Sequence, residues 1–194
     1  METFNLYFDL GMRHILDVHG SDHILFVIAL TAIYTVSDWK KVLILITAFT
    51  IGHSITLALA TYRVINVNSS LIEFLIPVTI FITALANIFR KQGSLRSMKA
   101  QLNYYLALFF GLIHGLGFSN YLRSLLGRDE SILTQLFAFN LGLEIGQIVI
   151  VGIFMAASFI FVGLIGVSRR DWRIVVSAAV AGIAWTMLFE AKYW

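Results

Sequence analysis

The chain has 194 residues, of which 59% are hydrophobic and only 13% charged, whereas soluble domains carry roughly a quarter charged residues. A soluble globule is excluded. The formal net charge of +3 and the pI near 9.3 do not point to nucleic acid, because the basic residues cluster beside the hydrophobic segments, where charge sets membrane topology.

Residues 1–20 come before any long apolar run. Arg13 is followed by histidines, not by an apolar core and a small-residue cleavage site, so a cleaved signal peptide is not expected and an outer-side N-terminal segment is. Charge-free runs of 21, 23 and 24 residues follow at Val42–Tyr62, Ala100–Leu122 and Ile145–Ser168, against the roughly 20 that a spanning helix needs. Shorter runs at His23–Ser37, Phe74–Phe89 and Ile174–Phe189 become spans once their flanking polar residues sit at the interface. The expected fold class is an all-α polytopic membrane protein, one domain over 1–194, with about six spans near 21–37, 42–62, 71–89, 100–122, 140–167 and 173–191. Ser131–Ser168 carries no positive charge and would make a helix of about 57 Å, so the fifth helix is expected to be long or broken, with an interfacial piece at about 131–139. Pro77 reads as a tolerated kink.

The loop charges orient this bundle. Lys40, Lys41, Arg90, Lys91, Arg96, Lys99, Arg169, Arg170 and Arg173 fall on one side, and Arg13, Arg63, Arg123, Arg128 and Lys192 on the other. The positive-inside rule puts the nine in the cytoplasm and both termini outside. A multi-pass protein of the cytoplasmic (inner) membrane is expected, with the lipid bilayer as its first partner.

Polar residues in such a chain need partners, cavities or ions. There is no cysteine, so a metal site would use nitrogen and oxygen ligands. His14, Asp17, His19, Asp22 and His23 cluster at the outer entrance to the first span, and His19 and His23 share a helical face at i and i+4. Asp22 beside them would serve as ligand or orienter. His53, with Ser54 next to it, lies near the middle of the second span, and His114 lies three residues past the midpoint of the fourth. Asn140, Glu144 and Gln147 make one stripe on the fifth at i, i+4 and i+7. Any one of these is often no more than an interhelical hydrogen-bond partner. On the charge-derived topology, however, His23, His53, His114 and Glu144 share a depth between the midplane and the outer interface. Thr79, Thr83 and Asn87 could line a path, though membrane threonines usually bond their own backbone.

Four motifs in order, Gly-Ser-Asp-His-Ile-Leu-Phe at 20–26, Phe49-Thr-Ile-Gly-His-Ser-Ile-Thr-Leu57, Phe110-Gly-Leu-Ile-His-Gly-Leu-Gly-Phe118 and Phe139-Asn-Leu-Gly-Leu-Glu-Ile-Gly-Gln147, resemble the HupE/UreJ family of small bacterial membrane proteins. The resemblance implies a nickel or cobalt permease, with His19, Asp22 and His23 capturing the ion and His53 and His114 completing the site. A looser similarity to larger nickel/cobalt transporters rests on His19-Gly-Ser-Asp22-His23, which has two residues between His and Asp where those transporters have four.

Imidazoles with carboxylates suit nickel, cobalt or zinc, and an all-oxygen magnesium site would not need the histidines. Capture should weaken below about pH 6, because the ligands must be deprotonated. No nucleotide motif is visible, so transport would be secondary or driven by a separate partner. A rival reading is an intramembrane metal-dependent hydrolase of a lipid or peptide, with Glu144 as general base. A metal sensor or assembly partner is a third. A homo-oligomer or a metallochaperone partner is left open by the sequence, and nucleic acid is not expected.

Overall fold

A computed structural model describes residues 2–18, 20–90, 97–125 and 132–191. Among these, every regular element is helical: α1 Glu2–Leu16, α2 Asp22–Thr31, α3 Trp39–Thr61, α4 Ser69–Ile88, α5 Ser97–Leu125, α6 Ile132–Ser158 and α7 Arg169–Glu190. Five stretches are long and apolar enough to cross a membrane: Val36–Thr61, Ser69–Ile88, Gln101–Ser119, Ile132–Leu164 and Arg169–Glu190. The chain is a multi-pass membrane protein.

The N-terminal third differs from the sequence expectation. The first expected span, 21–37, contains only the ten-residue α2, about 15 Å long and too short to cross hydrocarbon alone. The chain turns after Thr31 because Thr35 and Asp38 hold each other, with Thr35 Oγ1 donating to Asp38 Oδ2 at 3.0 Å and the Thr35 N–H donating to the same oxygen at 3.3 Å. Lys41 Nζ adds a 2.6 Å bond to Asp38 Oδ1. This local cap starts a new helix where a continuous span was expected.

The segment before residue 20 is itself mostly helix. On α1, Phe4, Phe8, Gly11 and Ile15 follow helical spacing and face α6: Phe4 meets Phe137 at 6.5 Å, and a Cβ on Gly11 would collide with the Phe139 carbonyl. Gly142 faces Phe8 and Met12 in the same way, and Gly146 faces Ile15. The two helices therefore run in the same direction at close approach. The other edge of α1 carries the exposed Asp9–Arg13 ion pair, 2.7 Å.

The most extensive packing joins α3 to α5. Gly111 lies against the Phe49 carbonyl, Gly52 against that of Leu108, and Gly115 against that of His53, so these helices are also parallel and nearly in backbone contact. On α4, Thr79 and Thr83 donate to their own backbone carbonyls of Ile76 and Thr79, while Asn87 Nδ2 crosses to the Ala29 carbonyl at 2.6 Å. That bond satisfies one of the orphan carbonyls at the end of α2. The helix expected to be long or broken, α6, is unbroken through 131–139 as far as that stretch is described, and Asn140 Nδ2 folds back onto the Leu136 carbonyl at 2.8 Å within it. Its irregularity comes at the far end, where Phe159–Leu164 is a π-helical stretch.

Candidate metal centre

α2 descends beside α3 in the opposite sense, with His23 near His53 and Phe26 5.1 Å from Phe49. This places the N-terminal turn of α2 opposite the middle of α3 and α5, and the C-terminal turn of α1 closes over it. Four imidazoles meet there. Ring centroids are 4.6 Å apart for His14 and His23, 6.2 Å for His23 and His53, 6.4 Å for His14 and His53, and 5.3 Å for His23 and His114. One ligand nitrogen from each of His14, His23 and His53 lies within 4.8 Å of the other two.

Their hydrogen bonding is incomplete in a patterned way. His114 Nδ1 is 2.9 Å from the Phe110 carbonyl, and His23 Nδ1 is 3.0 Å from Asp22 Oδ1. Since a carbonyl accepts only from N–H, His114 carries its proton on Nδ1 and has a lone pair on Nε2. The carboxylate selects the same tautomer in His23. The Nε2 atoms of His14, His23, His53 and His114 are all buried without a hydrogen-bond partner, and so is Nδ1 of His53. His53 is 0% exposed, His114 1% and His23 4%. Leaving several polar nitrogens unpaired in a protein interior is costly, and a cation that accepts their lone pairs removes the cost.

The surroundings are apolar. Phe26 and Phe49 lie 5.0 and 5.2 Å from His114, Phe139 stacks 6.3 Å from His53, and Phe118 lies 4.0 Å from His14. Burial, and next the neighbouring His23, push the His14 imidazole down to about 3, so it is neutral at ordinary pH. From the α1 side an open cavity of about 560 Å³, lined by Arg13, Asp17 and Phe118 among others, reaches His14 at the edge of the cluster.

Of the residues singled out in the sequence, the structure brings together His14, Asp22, His23, His53 and His114. His19 lies outside the described residues. Asp22 binds the backbone N–H of His23 as well as its ring, and so is placed to orient His23. Ser54 donates to the Thr50 carbonyl of its own helix at 2.6 Å. Asn140 stands beside His53 without completing a well-aligned bond, and Glu144 and Gln147 pair instead with Thr47 and Thr50 at 2.6 and 2.9 Å. On sequence alone His14 has only an outlying place. The spacing of Phe4, Phe8, Gly11 and Ile15, an apolar helical face with one small residue, is the signal that could have brought it in.

Fold and site define an all-helical, multi-pass membrane protein with a buried imidazole cluster under a short amphipathic helix. The chain belongs to the HupE/UreJ family: the family profile described as HupE / UreJ protein matches residues 1–192. No curated protein and no solved structure matches the chain.

Proposed function

We propose that the protein is a divalent transition-metal permease of the cytoplasmic membrane, with nickel or cobalt as substrate and zinc as the competing ion. Membership of a family associated with nickel and cobalt transport supports the class. The observation that carries the reading is the set of buried, unpartnered imidazole nitrogens on His14, His23 and His53, with that of His114 beside them. Three or four neutral imidazoles match borderline divalent ions and give an alkaline-earth ion little. The ion enters through the cavity over His14, loses water to the imidazoles, and is shielded from solvent by the phenylalanine shell. His53 and His114 come from the two helices that share the most extensive packing, in near backbone contact, so their spacing is rigid. His14 and His23 come from short elements joined through 17–21, which makes them the ligands able to move as the ion passes.

The test is uptake of nickel, cobalt and zinc by sealed proteoliposomes, with the bound ion identified by elemental analysis of the purified protein. Accumulation of one of these ions is the expected result. Binding without accumulation would refute transport and leave the hydrolase and sensor readings.

A further inference from the structure

The polar residues of α3 and α6 continue past the histidines. On α3, Thr50 and Thr47 lie three and six residues from His53, about 4.5 and 9 Å along the helix axis. On α6, Asn140, Glu144 and Gln147 face them, with Asn140 beside His53, Gln147 bonded to Thr50 and Glu144 bonded to Thr47. A purely structural pair of rows would leave nothing over, but two amide atoms are unsatisfied. Asn140 Oδ1 and Gln147 Nε2 are buried without a partner, and Gln147 is 0% exposed. Turning the Gln147 amide over lets its N–H donate to the Thr50 hydroxyl and leaves its carbonyl oxygen free. Either way one atom is unpaired, so the protein alone does not complete the seam. Glu144 is also the one acidic residue in the middle third of a described membrane-length helix, and Thr47 engages just one of its oxygens.

We infer that the α3–α6 seam is a second, oxygen-donor seat for the divalent cation, in which Glu144, with the amide oxygens of Gln147 and Asn140, receives the ion from the histidine cluster. This rests on the permease reading above. The alternative way out runs past Phe26, Phe49 and Phe110 to a cavity of about 110 Å³ lined by Asn87, Arg90 and Asn103. The aromatic rings on that route offer no lone pair to a dehydrating cation, whereas the seam offers oxygens at every turn. Transition ions bind carboxylate and amide oxygen more weakly than imidazole, which suits release better than capture.

The experiment compares Glu144→Gln with the parent for nickel binding by calorimetry in detergent and for nickel uptake into proteoliposomes, with folding checked by thermal unfolding. Gln keeps the acceptor for Thr47 and removes the charge. The expected result is affinity at the histidine cluster within about twofold of the parent, as for a site not in contact, with uptake slowed by about tenfold or more. Uptake equal to the parent's overturns the second seat and leaves the permease reading intact. Loss of binding also overturns it, since Glu144 would then belong to the capture site. If the parent itself takes up no ion, the permease reading fails first. Should Glu144→Gln not fold, Gln147→Met is put through the same two measurements with the same criteria.

Discussion

His23 Nδ1 sits 3.0 Å from Asp22 Oδ1, and the backbone N–H of His23 donates to the same oxygen at 2.9 Å. A single carboxylate oxygen thereby fixes both the ring orientation and the tautomer of the most central imidazole, leaving Nε2 free to ligate. Asp22→Asn keeps an acceptor oxygen but removes the charge that makes the imidazole a better donor. Nickel affinity measured by calorimetry should fall about 10 to 100-fold, the usual cost of losing such a partner, with the unfolding temperature nearly unchanged. Parental affinity in Asp22→Asn would mean that His23 does not bind the ion through Nε2.

His53 and His114 stand on different helices and have no interhelical hydrogen bond of good geometry to lose. Truncating either should therefore affect metal more than fold. In His53→Ala and His114→Ala, affinity is expected to drop by more than the roughly 100-fold seen for orienting residues, with folding followed separately by thermal unfolding. If both fold and bind nickel, cobalt and zinc as the parent does, the shared centre is wrong.

The long helices are legible in the sequence because membrane-length apolar runs admit few other structures: 42–62, 71–89, 100–122 and 173–191 all appear within α3, α4, α5 and α7, give or take a few residues. Membrane burial likewise makes His53 and His114 stand out, since an imidazole there needs a reason. The first span falls short because hydropathy treats 21–37 as one run, while Thr35 and Asp38, two ordinary polar residues, make a local cap that ends it. For α6, the lack of charge suggests a break near Asn140, but that side chain bonds within its own helix and the irregularity falls at 159–164. His14 is hard to place from sequence because its position depends on the long-range packing of α1 against Gly142 and Gly146, of which the spacing of Phe4, Phe8, Gly11 and Ile15 reveals only the α1 face and not its partner.

The α3–α5 contact has no room for a side chain at Gly111, where a Cβ would fall on the Phe49 carbonyl. Gly111→Val would force the helices apart and carry His53 away from His114. We expect destabilisation of about 1 to 3 kcal/mol or more, the range for overpacked cores, together with weakened metal binding. Gly182 serves as the control, because a Cβ added there would meet nothing within 4 Å: Gly182→Ala should leave both unchanged. Equal stability of the two variants would contradict the close approach.

With α2 counted as part of the first crossing, the nine-to-five division of Lys and Arg between the two sets of loops predicts outward-facing termini. Single cysteines introduced by Glu2→Cys and Trp194→Cys should react with an impermeant thiol reagent added outside intact cells, and Leu95→Cys should react only after permeabilisation. The chain's lack of native cysteine makes the labelling unambiguous. The opposite pattern would invert the bundle and put the cavity over His14 on the cytoplasmic side, turning the proposed entrance into an exit.

Titration of His14 links the site to stability. Its imidazole is held down to about 3 in the folded protein, first by burial and then by His23, against 6.5 in an exposed chain. Between those values the unfolded chain binds a proton that the folded one refuses, so stability falls as pH drops from 6.5 toward 3 and levels off above 6.5. In metal-free protein, His14→Phe should remove up to about one proton from this dependence while filling the same space against Phe118 and Phe139. Unfolding temperatures of parent and variant, measured in detergent from about pH 7.5 down to about 4.5, a range that spans most of the window between the two pKa values, should diverge as the pH is lowered, with the variant losing less. Parallel curves for the two metal-free proteins would show that His14 is free to charge in the folded state, and the dry cluster described around it would have to be abandoned.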